Sequence, residues 1–133
     1  MSSILKTHYS ILITHMTFPF EQLEVWRKSV DFAEKILSFA DHKIDRRDAF
    51  SLDEQLRRAV ISISNNVAEG GGRNSRKEKK YFYNIAKGSV YEVVNLLEIC
   101  KKRRYLEDGS HANLYREAEE IAKMLSGLMN SAS

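Results

Sequence analysis

Residues 51–72, SLDEQLRRAVISISNNVAEGGG, decide the fold. Ser51 followed three residues later by Glu54 has the form of a capping box, in which the two side chains reciprocally satisfy the amides that open a helix. Leu52, Leu56, Ala59, Ile63 and Val67 then recur at three- and four-residue steps, the spacing of one helical face. Gly70-Gly71-Gly72 closes the stretch, because glycine accepts the left-handed backbone that ends helices. The segment therefore predicts a helix from about Ser51 to Gly70.

The same periodicity extends outward in both directions. Asn74 or Ser75 caps a third helix, with Phe82, Ile85, Ser89, Glu92, Leu96 and Ile99 on its seam, running to about Arg104. Asp108 and Ser110 open a fourth, carrying Leu114, Ala118, Ile121, Leu125 and Leu128. Toward the N-terminus, Leu23, Trp26, Val30, Ala33, Leu37 and Ala40 mark a first helix over Glu21 to Asp45. Connections of about five residues favour antiparallel neighbours. The expected architecture is all-α, an antiparallel up-down-up-down four-helix bundle over residues 18–131. Residues 1–17 read as an N-terminal extension, either disordered or upstream of a true start at Met16. Their apolar run, Tyr9 to Ile13, is too short for a signal peptide and has no small-residue cleavage site.

Composition agrees with this reading. The 133 residues are 43% hydrophobic and 29% charged, ordinary globular values, and a single proline leaves room for long helices. The one cysteine, Cys100, excludes an internal disulfide framework and fits a reducing cytoplasm. Its place beside Ile99 makes it a small core hydrophobe. No stretch approaches the roughly 20 apolar residues of a membrane span. A net charge of +3 is only mildly basic, so the placement of the charges says more than their sum.

Two patterns exceed what a simple bundle needs. Beside the first seam runs a second apolar stripe, Val25, Phe32, Ile36 and Phe39, and the third helix adds Val90, Val94 and Leu97. One reading folds these residues over their own bundle or under the N-terminal extension. The preferred reading is a face that meets another subunit. The second pattern is polar: Arg58, Ser62, Asn66 and Glu69 share one face of the second helix, and Ser89 and Glu92 interrupt the third seam. A dimetal carboxylate site would need Glu-x-x-His pairs, and His8, His15, His42 and His111 all lie off the seams. No histidine is placed to activate Ser62 or Ser89, and no phosphate loop or nucleophile elbow occurs. The expectation is a buried structural network that fixes register, with Arg58 paired to Glu92.

These positions also carry a family resemblance. Residues 20–26 (FEQLEVW), 55–70 (QLRRAVISISNNVAEG) and 85–92 (IAKGSVYE) resemble the 23S rRNA intervening-sequence proteins. That family's pattern runs aromatic-x-x-Leu-x-Val-Trp, then Leu-Arg-Arg-Ala-x-x-Ser-Ile-x-x-Asn-Ile-Ala-Glu-Gly, then Ile-Ala-x-Gly-Ser-x-x-Glu. Val67 stands where the pattern has isoleucine, and Gly71-Gly72 lengthens the turn. The resemblance spans about residues 18–130 and implies a bacterial, non-enzymatic four-helix bundle, with related bundles forming homopentamers. A distant branch resembles the accessory protein of diversity-generating retroelements, which binds reverse transcriptase and nucleic acid, and that role transfers only weakly.

Basic residues gather where the two ends of such a bundle would lie. One end collects Lys43, Arg46, Arg47, Arg57, Lys101, Lys102, Arg103 and Arg104 beside Tyr105; the other collects Arg73, Arg76, Lys77, Lys79 and Lys80 near Tyr81 and Tyr83. Clustered cations attract phosphates, and exposed aromatics stack on unpaired bases. Acidic neighbours dilute the first cluster, and solvated helix ends are the ordinary alternative. The expected protein is a non-enzymatic homo-oligomer acting on RNA or DNA as an accessory factor. The alternative is a scaffold for a protein partner. No cofactor, metal, catalytic residue, membrane contact or small-molecule substrate is expected.

Overall fold

Pro19 pre-sets the backbone of a short 3-10 turn, Pro19–Gln22, in which the Glu21 carboxylate accepts the Phe18 N–H at 2.9 Å. Four long helices follow: α1 (Glu24–Lys43), α2 (Glu54–Gly71), α3 (Arg76–Lys102) and α4 (Asp108–Ser131). The structure is a computed structural model that describes residues 17–131, and among them there is no strand. All of the N-terminal extension except Thr17 lies outside the described residues.

Helix boundaries fall close to expectation, but two of the expected termini are built differently. Ser51 does not cap α2. It sits inside a π-helical turn, Ala49–Asp53, that runs straight into the helix, and its hydroxyl donates to the Asp48 carbonyl at 3.5 Å. An N-cap needs extended backbone geometry, which this continuous turn removes. Glu54 is thereby freed to pair with Arg58 at 2.8 Å. Nor do the glycines supply left-handed residues: none of the described ones has a positive φ. Gly70 and Gly71 are buried within α2 and allow close approach. A Cβ on Gly70 would stand 2.7 Å from Tyr83 Cε1, and one on Gly71 would stand 2.8 Å from Phe20 Cβ. Ser75 caps α3 as anticipated, accepting the Glu78 N–H at 3.1 Å.

Cross-helix contacts are consistent with antiparallel neighbours. Ser62 meets Ser89 at 2.8 Å while Gly70, later in α2, meets Tyr83, earlier in α3. Lys28 pairs with Glu120 at 2.7 Å and Lys35 with Glu117 across α1 and α4. His111 lies 3.2 Å from Glu98 across α3 and α4.

The core separates the two kinds of helix in this chain. On α2 and α4 the expected seams are inside: Leu52, Leu56, Ala59, Ile63, Val67, Leu114, Ala118, Ile121 and Leu125 are buried, and Leu128 is half-buried against them. On α1 and α3 the buried face takes only part of the expected seam (Ala33, Ala40, Ser89 and Leu96) and is completed by the neighbouring stripe. Val25, Ser29, Phe32, Ala33, Ile36 and Ala40 face inward on α1, and Tyr83, Ala86, Ser89, Val90, Val93, Leu96, Leu97 and Cys100 do so on α3. Ser29 is tolerated there because its hydroxyl donates to the Val25 carbonyl at 2.7 Å. This overturns the expected subunit interface: Val25, Phe32, Ile36, Val90 and Leu97 are core residues, and Phe39 and Val94 are half-buried against that core. The residues turned outward instead include Val30, Ile85 and Ile99.

The α3–α4 connection ends α3 in a left-handed residue. Arg104 has φ 68°, while Tyr105 N–H reaches the Cys100 carbonyl at 2.9 Å and Arg104 N–H reaches that of Lys101 at 3.0 Å. This is the hydrogen-bond pattern of a helix end that normally takes glycine, and a residue with a Cβ costs about 1 kcal/mol there.

Candidate nucleic-acid interface

The first turn of α3 (RKEKK, residues 76–80) holds four cations and one acid. A helix N-terminus carries partial positive charge from its unsatisfied amides, so cations there are unfavourable by a few tenths of a kcal/mol each. Two basic residues of this end have internal work. Lys79 donates to the Gly70 and Gly71 carbonyls at 3.4 and 3.3 Å, satisfying the end of α2. Arg73 pairs with Glu69 at 2.8 Å and lies 4.6 Å over the Phe82 ring. Arg76, Lys77 and Lys80 have no ionic or hydrogen-bonding partner among the described residues. Tyr81 stands beside them, 63% exposed, with its ring edge-on to Phe82 at 5.2 Å. Tyr83 does not belong to this surface: it is buried against Gly70, and burial raises its phenol pKa.

The opposite end of α3 is organised around Asp48. Its carboxylate accepts from Tyr105 Oη at 2.5 Å and Arg103 Nε at 2.7 Å, and Arg47 Nε donates to the tyrosine oxygen at 3.4 Å. The Tyr105 hydrogen bond, followed by the Arg103 pair, holds the Asp48 carboxyl below its ordinary range. Arg57 is clamped between Asp41 at 2.6 Å and Asp53 at 2.7 Å, bonds that raise its pKa further. Lys101 reaches Asp108 at 3.9 Å. Lys101 and Lys102 also lie in the last turn of α3, where cations suit the dipole. Lys43, Arg46, Lys102 and Arg104 have no partner among the described residues. This clamp links residues more than fifty positions apart, and no sequence spacing signals it.

The expected buried polar network contracts to three residues. Ser62 and Ser89 share a hydrogen bond, and Asn66 Nδ2 donates to the Ser62 carbonyl at 2.8 Å and its hydroxyl at 3.0 Å. Arg58, Glu69 and Glu92 are exposed. Arg58 and Glu69 form helix-surface pairs with Glu54 and Arg73, so no ion pair crosses from Arg58 to Glu92. Long side chains at the edge of a seam reach water, which removes the need for an internal counter-charge.

Cys100 is fully buried, and desolvation, reinforced by Asp48 and Asp53, pushes its thiol up to about 11, which leaves little thiolate for chemistry. Among the described residues no group of three or more His, Cys, Asp or Glu could hold a metal ion, and no helix is long and apolar enough to cross a membrane.

Comparison with known proteins agrees with this architecture. No curated protein matches the chain. A crystal structure of a protein of unknown function from the S23 ribosomal protein family of Bacteroides thetaiotaomicron superposes with a TM-score of 0.75. It is 24% identical and covers 80% of this chain and 96% of its own, a likeness of fold. A family model described as 23S rRNA-intervening sequence protein matches residues 21–127. With most of the bundle inside that match, the chain belongs to the family of 23S rRNA-intervening sequence proteins.

Proposed function

We propose that this protein is a non-enzymatic, cytoplasmic accessory factor that binds RNA phosphates through the N-terminal end of α3, on an up-down-up-down bundle that assembles with copies of itself. The observation that carries the reading is the set Arg76, Lys77 and Lys80. These cations lack internal partners and stand where the helix dipole opposes them, so the fold gives no account of them. Phosphate supplies one, because clustered cations and helix N-terminal amides both attract it. Tyr81 offers a ring face to an unpaired base. An assembly repeats the cluster and multiplies a weak contact.

The assembly surface follows from the rotated helices. Ile61, Ile85 and Ile99 are between 37% and 41% exposed on the outer side of α2 and α3. A Cβ on Gly88 between them would meet nothing within 4 Å. A mid-helix glycine with no internal neighbour costs stability and leaves space for a close approach from outside. Arg58 on α2 and Glu92 on α3 are exposed and offer opposite charges to a second copy. A scaffold for a different protein would use this same apolar face without RNA.

Fluorescence anisotropy with a labelled single-stranded 23S rRNA fragment tests the first half, in wild type and in the Arg76→Gln/Lys77→Gln/Lys80→Gln variant. Binding that weakens with salt and is lost in the variant is expected; absence of binding at low salt leaves the scaffold reading. Light scattering tests the second half: Arg58→Glu should lower the mass, and adding Glu92→Arg should restore it. A monomeric wild type would contradict the assembly.

A further inference from the structure

A groove of about 780 Å³ lies between the last turns of α1, the α3–α4 connection and the first turns of α4. Its wall is mixed. Phe39, Leu106 and Leu114 give it an apolar part, and Ser38, Ser110 and Asn113 line it with small polar groups. Its size is that of a site for one small organic ligand, typically about 300–1,000 Å³.

Its charges are unequal in what they have to do. Lys35 is spent on Glu117, and His42 shares a 2.8 Å contact between Nδ1 and the Ser38 carbonyl. Lys43, at the end of α1, and Arg104, in the α3–α4 connection, have no partner among the described residues, and Glu107 keeps a side chain without one. Arg104 is also the only described non-glycine residue with a positive φ. Glycine would close α3 there without penalty, so the backbone does not account for arginine. Residues strained in this way are held by the structure around them and cluster at ligand-binding sites. The guanidinium fork suits a phosphate bidentately, and Lys43 adds a point charge. A carboxylate such as Glu107 accepts hydrogen bonds from ribose hydroxyls, and the apolar wall can take the face of a base.

We propose that this groove binds a 5′-phosphorylated nucleoside, with Arg104 and Lys43 holding the phosphate and Glu107 the ribose. The inference does not rest on the RNA reading, since it concerns the opposite end of α3. The same chemistry could arrive as a free nucleotide or as the 5′ end of an RNA strand.

Calorimetric titration of the full chain separates these sources, using adenosine 5′-monophosphate, adenosine, and one short oligoribonucleotide with a 5′-phosphate or a 5′-hydroxyl. Binding of the monophosphate about tenfold or more tighter than adenosine is expected for a free nucleotide. The same preference confined to the phosphorylated oligonucleotide assigns the site to an RNA end. Arg104→Gly should weaken the preferred probe about tenfold while raising Tm by roughly 3–5 °C, because it relieves the backbone. Lys43→Gln should weaken the probe without that gain. The Arg76→Gln/Lys77→Gln/Lys80→Gln variant should bind the monophosphate as wild type does, whatever becomes of its RNA binding. Failure of both phosphorylated probes to bind, or unchanged binding by Arg104→Gly, would overturn the proposal.

Discussion

The two ends of α3 carry the same sign of charge under opposite physical circumstances. At the C-terminal end, Lys101 and Lys102 complement the helix dipole, and the adjoining Arg103, Arg47 and Arg57 are held by Asp48, Tyr105, Asp41 and Asp53. At the N-terminal end, Arg76, Lys77 and Lys80 oppose the dipole and have no partner among the described residues. Most of the first cluster is explained by the fold that contains it. The second is explained by something outside it. A count of basic residues treats the ends alike; their relation to the helix axis does not.

Several substitutions would sharpen or break this contrast. The largest stability effect belongs to the turn that carries the free end. Gly70→Ala should cost about 1–3 kcal/mol, because its Cβ would press into the Tyr83 ring. Gly88→Ala, in open space within the single chain, should instead stabilise the dissociated chain by about 0.5–1 kcal/mol in chemical denaturation. Equal effects at the two glycines would mean that close packing does not anchor the free end.

A smaller effect is expected at the clamped end. Asp48 titrates below its ordinary range when folded, so its contribution is present above the unfolded-state pKa and is lost as pH falls through the lower folded value. Asp48→Asn should lower Tm at neutral pH and flatten the acid side of the stability profile. An unchanged profile would show that the clamp contributes nothing. The smallest effect has the opposite sign. Replacing Arg76 and Lys77 by Gln should raise stability by about 0.3–1 kcal/mol at low salt, as removal of cations from a helix N-terminus requires. Destabilisation there would reveal an internal role for those side chains.

Much of this arrangement was legible in the sequence, and the exceptions have physical causes. The number of helices and the seams of α2 and α4 followed from periodicity, because on those helices the apolar residues concentrate on the buried stripe, and the Ser75 cap followed from residue type. On α1 and α3 two apolar stripes adjoin, and spacing cannot say how the core divides them; Ala33 and Leu96 of the expected seams are buried with Phe32 and Val90 of the second stripe, while Val30 and Ile85 are not. The polar signature divided for a related reason. Ser62, Asn66 and Ser89 are short and bond one another, whereas Arg58 and Glu92 are long enough to reach water. Both basic clusters were visible as residue types, but the Asp48 clamp arises from distant contacts. The left-handed Arg104 gave no signal at all, since arginine is not the residue that such a position advertises.

The most direct test of the central contrast is the salt dependence of RNA affinity in three proteins: wild type, Arg76→Gln/Lys77→Gln/Lys80→Gln, and Arg47→Gln/Arg57→Gln/Arg103→Gln. The α3-start variant should lose about 2–3 units of the log–log salt slope and about a hundredfold in affinity near 50 mM salt. The variant at the clamped end should stay within about threefold of wild type. Equal losses in both variants, or a wild type whose affinity does not respond to salt, would contradict it.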